Sequence, residues 1–204
     1  MREPQRAVYD RTKIYKILDE GFVCHVGFTV DSQTYVIPTM YARVGDALYF
    51  HGSAASRMLR NLADGVSVCI TVTLIDGLVL ARSVFNHSMD YRSVVAFGIA
   101  SLVSEPAEKL NALHSFTEKI LSGRWQDARQ PNEKELKATS ILKLPLIEVS
   151  AKVRVGPVED DAEDYVLPVW AGIVPLRLVA DPPVRDERCD ASIPMPVYAT
   201  NFRR

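Results

Sequence analysis

Residues 47–62, with the sequence ALYFHGSAASRMLRNL, combine side chains that together could hold a phosphate group. An apolar strand runs into His51, small residues follow, and a helix begins whose first turn carries Arg57. The free N–H groups of a helix start and the hydroxyls of Ser53 and Ser56 suit an anion, and an arginine adds a charged, planar donor. The pattern also fits an ordinary strand–turn–helix connection with solvated arginines, so the stretch alone leaves both interpretations open.

A second polar stretch begins at residue 85, where FNHSMDYRSVVAFG changes from polar to apolar halfway along. Arg92 and Ser93 stand at the mouth of a strand whose apolar part starts at Val94. An arginine in that place could hydrogen-bond the edge of a bound ring system, or it could protect an edge strand from pairing with another chain. These residues alone do not decide between the two.

Metal and nucleophile chemistry has weaker support. The possible metal ligands are His25, His51, His87 and Cys24. Their spacing does not fit a metal site, because only Cys24 and His25 are close in sequence, and adjacent residues of a strand point to opposite faces. Cys24 and Cys69 lie in apolar strands and are expected in the core rather than as nucleophiles. The sequence therefore predicts no metal site, and it contains no glycine-rich dinucleotide motif or P-loop.

The composition is that of one ordinary soluble domain. The 204 residues are 48% hydrophobic, and 24 basic residues balance 25 acidic ones to a net charge of −1. This balance argues against binding to nucleic acid or to an anionic membrane surface. The first ten residues lack a signal-peptide core, and no apolar stretch is long enough to span a bilayer. The three cysteines are widely spaced and form no C-x-x-C motif, so no disulfide framework is indicated. Together these features predict a cytoplasmic protein.

Most of the chain shows the alternating pattern of strands. Six or seven strands at hairpin spacing predict a mainly β fold with peripheral helices, arranged as an antiparallel barrel. The Asp76-Gly77 pair predicts a two-residue hairpin, and residues 140–156 are predicted as one last long strand. Helices are predicted over residues 10–21, 55–65, 105–123 and 132–139.

The chain changes character near residue 158. The predicted organisation is a barrel domain over residues 1–157 and a proline-rich C-terminal extension over residues 158–204. The cluster around Trp170, in LPVWAGIVPL, is too apolar to leave in water, so this part is expected to pack on the barrel. The residues beyond Asp186 show no periodicity and are expected to be mobile or to lie across a partner subunit.

Three segments together resemble a known family. They are YVIPTMYARVGDALYFHGSAASRMLRNL, DYRSVVAFGIASLV and ELKATSILKLPLIEVSAK. In them the chain is similar to the pyridoxamine-phosphate-oxidase-like superfamily of FMN-binding split barrels, and most of all to its branch of flavin-nucleotide-binding and nitroimidazole-resistance proteins. The resemblance implies an antiparallel, six- or seven-stranded split β-barrel that forms a homodimer, with FMN in each of two clefts between the subunits.

The resemblance also implies which residues hold the flavin. Matched to the family's pattern, the phosphate-binding loop and helix are Gly52, Ser53, Ser56, Arg57 and Asn61. The strand that runs along the flavin ring is Ile37, Pro38 and Thr39, and the residue near the ring, a candidate catalytic residue, is His51. The residues that meet the cofactor from the other side are Arg92 and Ser93, and Trp170 is a candidate interfacial tryptophan beside the flavin.

Three functions are compatible with this resemblance. The first is an FMN-dependent oxidoreductase that passes electrons from a reduced nicotinamide to a small acceptor such as a nitroaromatic or a quinone. The second is a non-catalytic FMN-binding protein, and the third is a haem-binding relative with His25, His51 or His87 as axial ligand. Oxidation of pyridoxamine phosphate itself is not expected, because Trp170 is followed by Ala-Gly-Ile-Val-Pro instead of the family's arginine pattern.

Overall fold

The structure is a computed structural model that describes residues 6–202. These residues form ten strands and six helices. The strands are β1 (Ala7–Val8), β2 (Val23–Val30), β3 (Gln33–Val44), β4 (Ala47–Ser53), β5 (Ser67–Leu80), β6 (Ser88–Ile99), β7 (Ser101–Leu102), β8 (Thr139–Pro145), β9 (Glu148–Arg154) and β10 (Gly172–Pro175). The helices are α1 (Arg11–Glu20), α2 (Arg57–Ala63), α3 (Pro106–Ile120), α4 (Arg124–Asp127), α5 (Glu133–Ala138) and α6 (Val197–Thr200). None of these helices is long and apolar enough to cross a membrane.

All ten described strands belong to one antiparallel sheet. Its order is β1-β9-β6-β5-β2-β3-β4-β8-β7, and β10 also pairs with β5. The strands β8 and β9 stand near opposite ends of this order, yet only Leu146 and Ile147 connect them in the chain. The sheet therefore curls into a barrel. Seven of the strands have seven or more residues, so the predicted mainly β, antiparallel barrel is confirmed, with three short strands added to it.

Two apolar cores lie on the two sides of the barrel wall. The inner core contains buried side chains from most strands, among them Val26, Tyr41, Leu48, Phe50, Ile70, Val94, Leu142 and Leu144. Helix α3 covers part of the outer wall through Ala112 and Phe116, which pack with Ala42, Tyr49 and Ile141. The rest of the outer wall carries exposed apolar side chains such as Val36, Phe97 and Ile99.

Helix α1 begins and ends where the sequence predicts. The Asp10 carboxylate accepts a hydrogen bond from the Thr12 N–H at 2.8 Å and so satisfies one free donor of the helix start. Gly21 follows the helix, where a Cβ would lie 2.5 Å from the Val72 side chain and 2.6 Å from the Tyr41 hydroxyl. Glycine is therefore needed for the close approach between the end of the helix and the barrel.

The hairpin predicted at Asp76-Gly77 is wrong. Both residues lie inside β5, and a register shift between Ile75 and Gly77 marks a β-bulge. A Cβ on Gly77 would lie 3.2 Å from the Val174 carbonyl oxygen, so the missing side chain allows β10 to approach β5. Glycine in a strand often marks a bulge or a close approach instead of a turn. The turn into β6 comes later, over residues 81–87.

The last predicted strand is two strands rather than one. β8 pairs with β4, whereas β9 pairs with β6 at the other end of the strand order. The chain changes partners at Leu146, whose N–H donates to the Asp46 carbonyl at 2.8 Å. Both strands have the same alternation of apolar and polar residues, so the pattern in the sequence does not reveal the change of partner.

The C-terminal segment, residues 158–202, is fastened to the barrel near its beginning. The Asp160 carboxylate accepts hydrogen bonds from the N–H groups of Arg82 at 2.9 Å and Ser83 at 3.2 Å. Burial raises the pKa of this carboxyl, but the Ser83 N–H and the Arg82 guanidinium outweigh burial, so the pKa lies below its ordinary value. Strand β10 then adds itself to the edge of β5.

The end of the C-terminal segment has contacts of its own. The Tyr198 hydroxyl donates to the Asp127 carboxylate at 2.5 Å. The Phe202 ring stacks on Phe22 with 6.4 Å between the ring centroids. Between its two ends the segment keeps many apolar side chains exposed, including Val179 at 76% and Val184 at 94%.

Candidate functional site

Strands β3 and β4 pair over four residues and then separate. Their pairing ends at Tyr41 and Phe50. Beyond that point β3 pairs only with β2, and β4 pairs only with β8. Two strand edges with unpaired backbone groups therefore border an opening, which we call the β3–β4 gap. Residues 37–39 lie on one edge and residues 51–53 on the other, so the predicted ring-binding strand and the start of the predicted phosphate loop border the same gap.

Helix α2 begins beside this gap. The Ser56 side chain caps it by accepting from the Leu59 N–H at 3.5 Å, and the Ser53 hydroxyl accepts from the Ala55 N–H at 3.2 Å. Gly52 lies close to α2, because a Cβ there would be 3.1 Å from the Leu59 side chain. Asn61 is half-buried on the same helix. The loop is thus compact and its hydroxyls face its own backbone.

Arg57 connects the two sides of the gap. Its guanidinium lies over the Tyr35 ring of β3, 5.2 Å from the ring centroid, although Arg57 itself belongs to α2. Arg57 is exposed, and within residues 6–202 it has no hydrogen bond or ion pair. A cation held by an aromatic ring at the edge of a gap is available for an anionic group.

His51 lies on the outer wall of the barrel under α3. Its ring packs against Phe116 with 4.4 Å between the centroids, and its Nδ1 is buried without a hydrogen-bond partner among residues 6–202. The ring borders a cavity of about 360 Å³, which we call the His51 cavity. The cavity is lined further by Met40, Phe116, Trp125, Arg129 and Thr139, among others. Burial lowers the pKa of the imidazole, which favours its neutral form.

The burial of His51 predicts that stability depends on pH. Because the folded-state pKa lies below the ordinary value near 6.5, the unfolded chain takes up the proton first as the pH falls. The stability that neutral His51 contributes is complete above about pH 6.5 and is lost as the pH falls from there to the folded pKa. Urea unfolding at about pH 7.5 and about pH 5.5 should show a smaller pH difference in His51→Gln than in the parent. His87→Gln, an exposed control, should keep the parent's difference.

Arg92 and Ser93 lie on β6, away from the phosphate loop of the same chain. Arg92 is bound by two carboxylates, with its Nη2 2.6 Å from Asp76 and 2.8 Å from Glu20. These two carboxylates raise the pKa of the guanidinium. The Ser93 hydroxyl donates to the Lys152 carbonyl at 3.4 Å. Within one chain the structure therefore does not bring Arg92 to the β3–β4 gap.

A second gap lies on the edge of β5. Residues 68–71 of β5 pair with β2, residues 77–80 pair with β10, and residues 72–76 between them have no strand partner on that edge. A cavity of about 650 Å³ lies at this gap. We call it the β2–β10 cavity. It is lined by Glu20, Gly21, Phe22, Val23, His25, Thr73, Leu74, Ile75, Asp76, Arg92, Leu176, Arg177 and Leu178.

Neither this cavity nor Arg177 is predicted by a pattern in the sequence. The available indication was a single arginine in the apolar stretch VPLRLVA. Trp170, predicted beside the flavin, is 68% exposed, and its ring lies over Gly172, where a Cβ would be 2.7 Å away. It borders neither of the two cavities named above.

A known protein family matches this chain over the part that forms the barrel and the β3–β4 gap. The family model described as Pyridoxamine 5'-phosphate oxidase matches residues 10–153. Because this match covers well over half of the chain, the protein belongs to that family, whose fold is the split barrel. A search of curated proteins finds no match.

Two solved structures extend the similarity to the whole chain. The flavocytochrome Anf3 from Azotobacter vinelandii is 40% identical, and the match covers 100% of this chain and 94% of that one with a TM-score of 0.94. The FAD and heme binding protein from Mycobacterium smegmatis is 33% identical over 95% of each chain, with a TM-score of 0.91.

A more distant structure shares the fold alone. It is described as a 5-nitroimidazole antibiotic resistance protein from Bacteroides thetaiotaomicron. It is 24% identical over 72% of this chain and 86% of that one, with a TM-score of 0.59. The two proteins named above match the C-terminal segment as well, whereas the family model ends at residue 153.

Proposed function

We propose that this chain binds a flavin and a haem and transfers electrons between them. The observation that carries the proposal is similarity over the full chain, at 40% and 33% identity, to a flavocytochrome and to an FAD and heme binding protein. The proposal joins the flavin chemistry and the haem binding that the sequence analysis kept as separate functions. A bound flavin exchanges one or two electrons and a haem iron exchanges one, so together they supply the redox chemistry.

The β3–β4 gap supports the flavin half of the proposal. Those backbone groups of residues 37–39 that point away from β2 have no strand partner and could bind the polar rim of a ring. Arg57 offers a charge to the phosphate at the end of the gap, held there by the Tyr35 ring. His51 is the first residue of β4 beyond its pairing with β3, and its imidazole, whose pKa is lowered by burial, is the proposed neighbour of the ring. Gly52, Ser53, Ser56 and Asn61 complete the proposed phosphate site.

The nucleotide is either FMN or FAD. Both carry the same ring and a phosphate at the end of its ribityl chain, so the residues of the gap fit either one. The family resemblance implies FMN, whereas the 33% identical relative is named for FAD. We propose FAD, because that relative matches nearly the whole chain, including most of the C-terminal segment beyond the family model.

The haem half is supported by two imidazoles that border cavities. His25 is exposed toward the β2–β10 cavity, and His51 borders the His51 cavity with its Nδ1 unpartnered among the described residues. Imidazole nitrogen is the commonest protein ligand of haem iron in electron-transfer and oxygen-binding proteins. The third candidate, His87, has its Nδ1 2.9 Å from the Ser83 carbonyl oxygen in an exposed turn.

We propose a homodimer as the working form, because each chain alone exposes a large apolar surface. Val36, Phe97 and Ile99 are 49–64% exposed on the outer wall, and Trp170 is 68% exposed. In such a dimer the family resemblance implies that Arg92 and Ser93 of the partner subunit meet the flavin from the other side. Sedimentation at micromolar protein should give a dimer, with an interface above about 2,000 Å² in total. A monomer that still holds flavin would contradict this.

Extraction of the purified protein tests the proposed cofactors. Denaturation should release a haem and a flavin, and mass measurement should identify the flavin as FAD. Release of FMN would correct the nucleotide but keep the flavin. Steady-state oxidation of NADH or NADPH, with and without a nitro compound, tests the oxidoreductase of the sequence analysis. Turnover that is as fast without haem as with it would favour that function over the proposed one.

A further inference from the structure

The β2–β10 cavity is built in part by the C-terminal segment. Leu176, Arg177 and Leu178 form one wall, immediately after β10. The opposite wall comes from β5 and from the residues that join α1 to β2. The segment is held in this position at both ends, by Asp160 on the β5 side and by Phe202 on Phe22. In this chain the C-terminal segment therefore completes the cavity.

The chemistry of the cavity matches a flat apolar molecule with a carboxylate. Its apolar lining consists of Phe22, Val23, Leu74, Ile75, Leu176 and Leu178. Two arginines and two carboxylates line it, and both carboxylates, Asp76 and Glu20, form ion pairs with Arg92. Arg177 has no hydrogen bond or ion pair within residues 6–202. One guanidinium thus remains for an anionic group of a ligand.

His25 supplies a nitrogen ligand in the same cavity. It lies on β2 between Pro38 and Thr71 in register, and its ring is exposed. No described residue forms a hydrogen bond or an ion pair with it. Its ring nitrogens are therefore free, whereas the Nδ1 of His51 is enclosed under α3 in a cavity of about 360 Å³. The β2–β10 cavity, at about 650 Å³, has more room for a large macrocycle.

We infer that the β2–β10 cavity is the haem site, where His25 would supply the nitrogen ligand of the iron and Arg177 would bind a haem carboxylate. The inference rests on the proposed haem binding and adds its place and its ligands. The two relatives named for a flavocytochrome and for heme both match the chain across the C-terminal segment, and the family model does not. The C-terminal segment, which these two relatives match and the family model does not include, is the segment that completes this cavity.

Haemin titration of the full chain, followed by absorption and electron paramagnetic resonance spectra, tests the inference. His25→Ala should lose the spectrum of histidine ligation, and added imidazole should restore it. Arg177→Gln should keep that spectrum but weaken haemin binding by roughly 10- to 100-fold, because a charge-assisted contact is lost. Arg188→Gln, an exposed arginine of the same segment, is the matched control and should bind haemin like the parent.

Two outcomes would overturn the inference in different ways. If His51→Ala removes histidine ligation and His25→Ala does not, the haem lies elsewhere, and the proposed function stands. If the parent itself binds no haemin, the inference fails together with the haem half of the proposed function. Circular dichroism of each variant shows whether a loss of ligation comes from a loss of folding, and the imidazole rescue separates the two for His25→Ala.

Discussion

Replacing Asp90 by alanine is expected to lower the free energy of unfolding by about 3–5 kcal/mol. Asp90 on β6 and Arg154 on β9 form an ion pair with 2.6 Å between Oδ1 and Nη1. The Asp90 side chain is 8% exposed and that of Arg154 is 10% exposed. The variant leaves the Arg154 charge buried without its counter-ion, which costs far more than the loss of an exposed pair. Urea unfolding of the parent and the variant measures the difference.

A double variant is the control for this prediction. Asp90→Leu together with Arg154→Met replaces the ion pair by two apolar side chains. It should lose much less stability than the single variant, because no buried charge remains unpaired. A single variant as stable as the parent would show that water reaches Arg154 and that the pair is not buried in solution.

Replacing Arg57 by alanine is expected to weaken flavin binding by roughly 10- to 100-fold. In the proposed site Arg57 gives a charge-assisted hydrogen bond to the flavin phosphate, and such a bond contributes about 1.5–3 kcal/mol. Folding should be unaffected, since Arg57 is exposed and its ring contact is limited to Tyr35. Flavin titration of the apoprotein measures the affinity, and thermal melts check the fold.

Arg60→Ala is the matched control for Arg57→Ala. Arg60 lies on the same helix three residues later, is also exposed, and has no ring contact with β3. Its loss should change the affinity for flavin much less. Equal affinity of Arg57→Ala and the parent would mean that the phosphate lies elsewhere and that the loop is only a connection. His51→Ala should instead change the spectrum or reactivity of the ring more than the affinity.

Local patterns in the sequence predicted most of the elements correctly. Helix α1 between Asp10 and Gly21 is confirmed, because its cap and its apolar stripe depend only on neighbours in the chain. The predicted hairpin at Asp76-Gly77 is wrong because a glycine also fits a β-bulge. The bulge is formed here beside β10, which pairs with β5 and lies about 100 residues later in the chain. Pairing with distant strands is the part that periodicity does not contain.

The candidate site also contains residues that could be predicted from the sequence and residues that could not. The phosphate loop is contiguous in the chain, so its residues could be identified together, and the β3–β4 gap places residues 37–39 opposite them. Arg92 differs, since its partners Asp76 and Glu20 come from a bulge and from the end of α1. That Arg92 contacts the flavin of the other subunit in a dimer stays a prediction. Arg177 reaches its cavity only through the pairing of β10 with β5, which no local pattern indicates.

The most direct test of the central claim is the absorption spectrum of the full chain after saturation with flavin and haemin and removal of the excess. Both chromophores are expected on the same protein, at about one of each per chain, with the haem reduced through the flavin when the flavin is photoreduced anaerobically. Flavin without haem after this saturation, or a bound haem that stays oxidised beside a reduced flavin, would contradict it.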